Sequence, residues 1–204
     1  MDRAELEELH YIAAIANLPS IEAEGLLCHN AVQSIEHKDV SSRKIQDRRV
    51  NKKVPDARRA EPLELHDYVP LYICGRNPML YVIRDRRECL AMLSLSCDVL
   101  DLNGAIVTDG NAASDITSFD EPDHGLGKID KAITFAGNPL APSYPQFLER
   151  KRRQCAEVLV PGVVSAAHIK RVYVYSDEAN ERVRECCGLG PVETRPEIFT
   201  FDDE

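Results

Sequence analysis

The chain has 204 residues, a formal net charge of −9, 44% hydrophobic and 6% aromatic content, and seven cysteines. That length suits one domain, residues 1–204, with a core that needs no staple, and the acidic balance argues against a protein that coats nucleic acid non-specifically. No run approaches the ~18 apolar residues of a membrane span, and Met1 to Glu8 is acidic and lacks the order of a signal peptide, which points to the cytoplasm and to no membrane partner.

In chain order, Leu9 to Ile15 reads as a strand. Asn17 is then an N-cap, Pro19 lies in the first turn of a short helix, and Gly25 ends it. Asp39 to Val50 is helix-compatible, but Val40, Ile45 and Val50 make a poor stripe, so it is expected to cover a site. Val54 to Glu64 reads as loop. Tyr68 to Cys74 is β-rich, and Pro70 within it implies an edge or a bend. Pro78 to Arg84 opens a helix, and Cys89 to Cys97 and Ala105 to Thr108 read as strands. The Gly-, Pro-, Asp- and Asn-rich span from Asp109 to Pro145 reads as a long functional loop. A helix over Gln146 to Arg153 and strands over Gln154 to Val160 and Ile169 to Tyr175 follow. Asp177 to Cys187 is a helix stopped by Gly188, and Thr194 to Phe201 a closing strand interrupted by Pro196. Without βαβ alternation, the class is α+β with a mainly antiparallel or split sheet.

The cysteines are odd in number and form no CxxC, so they read as reduced packing residues and no metal site is expected. The cations cluster: Arg43, Lys44, Arg48, Arg49, Lys52, Lys53, Arg58 and Arg59 fall within seventeen residues, and Arg150 to Arg153 form a second run. Solvated helix faces explain most such runs, and a local anionic ligand is the other reading. Glu157 stands out. Strand alternation sets Cys155, Glu157 and Leu159 on one face, and a carboxylate among apolar neighbours must be paired, protonated or functional. The residues alone leave a structural salt bridge and a functional group both open.

The stretch Lys151-Arg152-Arg153-Gln154-Cys155-Ala156-Glu157-Val158-Leu159-Val160 resembles the RRQAE motif of the DarT family, bacterial DNA ADP-ribosyltransferase toxins. Three further segments are similar to that family in the same order. These are Asn17-Leu18-Pro19-Ser20-Ile21 with Gly25-Leu26-Leu27, Asp47-Arg48-Arg49 with Val54-Pro55, and His66-Asp67-Tyr68-Val69-Pro70-Leu71-Tyr72 with Arg76-Asn77-Pro78-Met79-Leu80-Tyr81. Thr108-Asp109-Gly110 is a weaker fifth. The resemblance implies an ADP-ribosyltransferase fold, a split β-sheet with flanking helices, and a mono-ADP-ribosyltransferase that moves ADP-ribose from NAD to a base in single-stranded DNA, thymine first and guanine second. It also implies a toxin–antitoxin setting with a macrodomain antitoxin. Protein, RNA or water as acceptor, and a non-catalytic NAD or nucleic-acid binding module, are the alternatives.

By the same resemblance Glu157 and Arg49 are catalytic, and His10, Tyr11, Ala13, Asn17, Ser20, Leu27 and Arg49 bind NAD, which is consumed as substrate. Residues 33–51 cover NAD, and residues 109–157 form the substrate-recognition loop. Arg76, Lys151, Arg152 and Arg153 are DNA-binding candidates. Two departures stand out: Tyr11-Ile12-Ala13 replaces the family's His-Ile-Thr, with His10 displaced by one, and Asn111 replaces a histidine after Thr-Asp-Gly.

Overall fold

The computed structural model describes residues 1–41 and 43–201, so Ser42 of the expected 33–51 cover lies outside the described residues. The strands are β1 (Leu9–Ala14), β2 (Leu26–Leu27), β3 (Tyr68–Tyr72), β4 (Leu90–Leu95), β5 (Ile106–Thr108), β6 (Phe119–Asp120), β7 (Glu157–Pro161), β8 (Val163–Val164), β9 (Ile169–Val174) and β10 (Val192–Thr194). The helices are α1 (Leu18–Glu24), α2 (His29–Val32), α3 (Arg43–Arg49), α4 (Pro78–Val82), α5 (Pro122–Gly127), α6 (Lys131–Thr134), α7 (Tyr144–Arg153), α8 (Asp177–Cys186) and α9 (Pro196–Phe199). Eight strands form one sheet in the order β10-β9-β4-β1-β3-β7-β5-β6, and β2 and β8 form a small second one. Every pair in the large sheet is antiparallel except β10 with β9.

The sheet is split in the middle. β1 meets β4 along its whole length, yet its register with β3 is the single pair His10 opposite Tyr72. Pro70 explains part of this. Ile73 N–H bonds Ala156 O, which sets the alternation: Val69, Leu71 and Ile73 turn their backbone groups to β7, and Pro70 turns its side to the seam. There it has no N–H to offer β1. β3 is thus an inner strand by order, with the proline at the opening, where the sequence suggested an edge or a bend.

Apolar alternation builds the core on both sides of the sheet. Val69, Leu71, Val158 and Val160 pack with Leu9, Leu18, Ile21, Ala179 and Val183, bringing α1 and α8 onto one face. Leu159, Ile106, Tyr68, Leu65 and Val54 form a second cluster, and Ile12, Leu80, Met92, Tyr173 and Phe199 a third. Burying a Leu or Phe of this kind stabilises the fold by ~1.5–3 kcal/mol each, so β7 is anchored from both faces.

Several expected elements differ. Asn17 occupies the N-cap of α1 but makes no capping bond; its amide instead bonds the N–H and C=O of Lys38 at 2.9 Å each. The helix expected over Asp39 to Val50 shortens to α3, because the apolar positions never complete a stripe. The span from Asp109 to Pro145 is not one loop: β6 pairs with β5, and Pro122 and the Asp130 N-cap start α5 and α6. The strand at Gln154 begins only at Glu157, since Gln154 still closes α7. The closing strand over Thr194 to Phe201 is β10 followed by a helical turn: Pro196 sits at its start, where the missing N–H costs nothing, and Phe199 is fully buried beneath it. Among the described residues, no helix is long and apolar enough to cross a membrane.

Candidate active site

The seam between β1 and β3 opens into a cleft with about 1310 Å³ of unfilled space, the part open to solvent included. Tyr11 and Ala13 of β1, Asn17 and Ser20 at α1, Leu27 of β2 and Arg49 of α3 all line it, so six of the seven expected NAD-binding residues share one cavity. His10 does not. Strand alternation turns it away from Tyr11 and Ala13, and its ring packs where a Cβ on Gly75 would lie 3.0 Å off. Its Nε2 lies 3.9 Å from Glu8, and burial lowers its pKa.

Chain segment 35–41 and α3 roof the cleft. Among the described residues, this roof is held by the Asn17–Lys38 pair, Arg86 Nη2 to Val40 O at 3.2 Å, His66 Nε2 to Gln46 Oε1 at 2.9 Å, and Arg49 to Glu157. His66 also stacks on His29, with ring centroids 4.2 Å apart. Burial, then the neighbouring His29 and Arg49, lower the pKa of His66. Opposite Glu157 in the register, Tyr72 lines the cleft, and burial raises its phenol pKa well above the ordinary value, with Glu157 adding to the effect.

Glu157 is 1% exposed and lies behind Arg49, which is 6% exposed. The guanidinium reaches Oε2 with both Nη1 and Nη2 at 3.2 Å, and Nη1 lies 3.4 Å from Oε1. Oε1 also accepts the Ala112 N–H at 3.1 Å. Thr108 fixes the backbone below: its hydroxyl accepts the Glu157 N–H at 3.0 Å and donates to Gly110 O at 2.8 Å. The salt bridge left open for Glu157 is made, and its partner is Arg49. Residue identity did not reveal Ala112, because its contribution is a backbone N–H.

Segment 109–118 is packed by specific bonds. Asn111 Oδ1 accepts the Ala113 N–H at 2.9 Å, its own N–H donates to Arg152 O, and its carbonyl accepts the Thr117 hydroxyl at 2.7 Å. The Arg152 side chain is 8% exposed and is held by Asp109 at 3.0 Å and Glu149 at 2.8 Å, so this DNA-binding candidate is tied up inside the fold. Arg153 pairs with Glu149 at 2.7 Å and approaches Asp130. Lys151 is exposed. Arg76 donates to Thr200 O at 2.9 Å and lies 5.1 Å over the Phe201 ring. Lys52 was only one member of the basic run in sequence. It crosses from the end of α3 to Ser114 O at 2.7 Å. Among the described residues, no group of three or more His, Cys, Asp or Glu is placed to hold a metal ion.

Comparison with known proteins agrees with this architecture. A DNA ADP-ribosyl transferase of Thermus sp. (strain 2.9) is 30% identical over 205 residues, covering 96% of this chain and 94% of that one. A DNA ADP-ribosyl transferase–DNA ADP-ribosyl glycohydrolase fusion protein of Thermosipho africanus (strain H17ap60334) is 29% identical over 197 residues, 95% of this chain. The present chain spans about half of that fusion's length, 49%. The structure of Thermus sp. 2.9 DarT in complex with ADP-ribosylated ssDNA superposes with a TM-score of 0.82 at 25% identity, covering 98% of this chain and 99% of that one. The profile described as ssDNA thymidine ADP-ribosyltransferase, DarT, matches residues 10–200, and with a match over nearly its whole length the chain belongs to the DarT family.

Proposed function

We propose that the chain cleaves NAD and transfers the ADP-ribosyl group to thymine in single-stranded DNA. The observation that carries this is Glu157: a buried carboxylate behind Arg49, which lines the split-sheet cleft, gripped by that arginine and the Ala112 N–H, in a chain of this family. NAD is the substrate. Nicotinamide leaves with the electron pair of its bond to ribose C1′, a nitrogen of the base forms the new bond there, and that base gives up one proton. Positive charge grows on the ribose as the bond breaks. Glu157 stabilises it most in the transition state, where the charge is greatest. Arg49 lines the cleft and presents a planar fork of donors suited to the anionic diphosphate or to holding Glu157 in place. Its guanidinium orients and attracts the anionic groups around it.

Extrusion from a duplex would add a few kcal/mol, which favours a single-stranded acceptor. A separate ADP-ribosyl glycohydrolase is the matching antitoxin, as the two activities joined in the Thermosipho fusion suggest. The test is mass spectrometry of oligonucleotides incubated with NAD. Wild type is expected to add one ADP-ribose to thymine-containing strands, and Glu157→Ala none. No adduct on any of the four bases, with an active control enzyme alongside, overturns the reading.

A further inference from the structure

Arg49 and Lys52 leave the same helix end: Arg49 reaches Glu157, and Lys52 reaches the loop whose Ala112 donates to that carboxylate. α3 stops because Asn51 adopts a left-handed conformation, φ 58°, which asparagine tolerates better than most residues. Lys52 N–H then bonds Arg49 O at 3.2 Å, and the turned-back side chain runs under segment 111–118. Its Nζ donates to Ser114 O at 2.7 Å, lies 3.6 Å from Asp115 and 5.8 Å from the Phe119 ring centre, and the side chain is only 18% exposed. Two residues from Ser114, Ala112 donates to Glu157. The segment is thus stapled at two points: Arg152 grips Asp109 and Thr117 on one side, and Lys52 grips Ser114 on the other.

We infer that Lys52 is a positioning residue that couples the roof of the NAD cleft to the acceptor-side loop, fixing Ala112 N–H against Glu157 whenever α3 is docked. This rests on the proposed transferase reading of the site. The ammonium touches neither Glu157 nor the cleft lining. It acts through the loop, and a roof that lifts takes Lys52 with it and frees Ala112. Burial lowers the Lys52 pKa and Asp115 opposes this, as expected for a cation held at a dry seam.

The test uses the full chain with Lys52→Met, which keeps the apolar stem, and Lys52→Arg, which keeps a cationic donor. Two readouts are combined: amide hydrogen exchange over residues 111–117, and kinetics of nicotinamide release and transfer. Lys52→Met is expected to raise exchange at Ala112 about tenfold and to lower kcat ~10- to 100-fold with KM for NAD within about twofold. Lys52→Arg is expected to restore both to within about threefold. Asp115→Asn should leave both near wild type, because Asp115 is fully exposed and Ser114 O is the shorter contact. Unchanged exchange and kcat in Lys52→Met overturn the inference, as does a KM rise that carries the whole loss. Raised exchange beside an inactive wild type refutes the transferase reading and leaves the coupling standing.

Discussion

Replacing Glu157 by Gln removes the charge, keeps the shape, and separates catalysis from stability. Glu157 and Arg49 are 1% and 6% exposed, so the variant leaves a buried guanidinium without its counter-ion. Breaking such a pair by removing one partner costs ~3–5 kcal/mol. The Gln oxygen can still accept from Ala112 or Arg49, which brings the figure to ~2–3 kcal/mol. At about 2–4 °C per kcal/mol for a domain of this size, Tm should fall by roughly 5–10 °C, leaving the protein folded at 25 °C. The effect on rate is larger. A preorganised group aimed at developing charge contributes about 3–4 kcal/mol, so kcat for nicotinamide release should fall ~10²–10³-fold. NAD affinity should change only a few-fold, because the lost interaction strengthens mainly in the transition state. Calorimetric melting, NAD titration and single-turnover nicotinamide release measure the three quantities. Transfer within tenfold of wild type refutes the assigned role of the carboxylate, and an unchanged Tm refutes the claim that Arg49 depends on it.

Arg152→Ala is expected to destabilise by about 3 kcal/mol, read as a lower urea midpoint, because it strands Asp109 and breaks the grip on Thr117. Lys151→Ala, one residue away and exposed, should leave the midpoint within about 0.5 kcal/mol and any loss should appear only in the salt-dependent affinity for single-stranded DNA. Acid should loosen the last turn of α7, where Glu149 holds Arg152 and Arg153. Hydrogen bonding by Arg152 holds the Glu149 carboxyl at about 2 from an ordinary 4.5. A depressed folded pKa stabilises above the unfolded value and is lost as pH falls from about 4.5 towards 2. Glu149→Gln should flatten that part of the stability–pH curve.

Much of this architecture was legible because its causes are local. Strand alternation placed Leu9 to Ala14 and Val158 to Val160, and proline and glycine punctuation placed α1, α4 and the end of α8. Errors arose where a tertiary partner decided. Asn17 has the identity of a cap, but the Lys38 backbone outcompetes the helix for its amide. Pro196 reads as a strand interruption until Phe199 is seen to need a helical turn to reach the core. Arg152 looks like a surface cation within a basic run, and its two carboxylate partners lie 3 and 43 residues away. Resemblance singled out Glu157 and Arg49 separately, but nothing in the sequence joined them as a pair, since 108 residues separate them. Ala112 was invisible to side-chain reasoning because it works through its N–H, and Lys52 because a run of cations does not say which one turns inward.

The buried pair itself argues for function. An ion pair taken out of water is weak grounds for stability, because desolvation offsets much of the attraction. Arg49→Met with Glu157→Leu should therefore gain roughly 1–4 kcal/mol from replacing the charges, against about 1–3 kcal/mol for leaving Ala112 N–H without an acceptor. Net stability should lie between about 2 kcal/mol below and about 3 kcal/mol above wild type in urea melts, while NAD cleavage disappears. A double variant more than ~4 kcal/mol less stable would make the pair a structural necessity and remove this argument. If it holds, the geometry has a direct meaning. Arg49 stands between the cleft and Glu157, filling the carboxylate with N–H donors. Ribose hydroxyls are donors too, so substrate can reach Glu157 by exchanging one donor set for another. On the proposed reading, the carboxylate is never left bare in the interior, and the arginine freed by the exchange is already at the edge of the cleft, ready for the diphosphate.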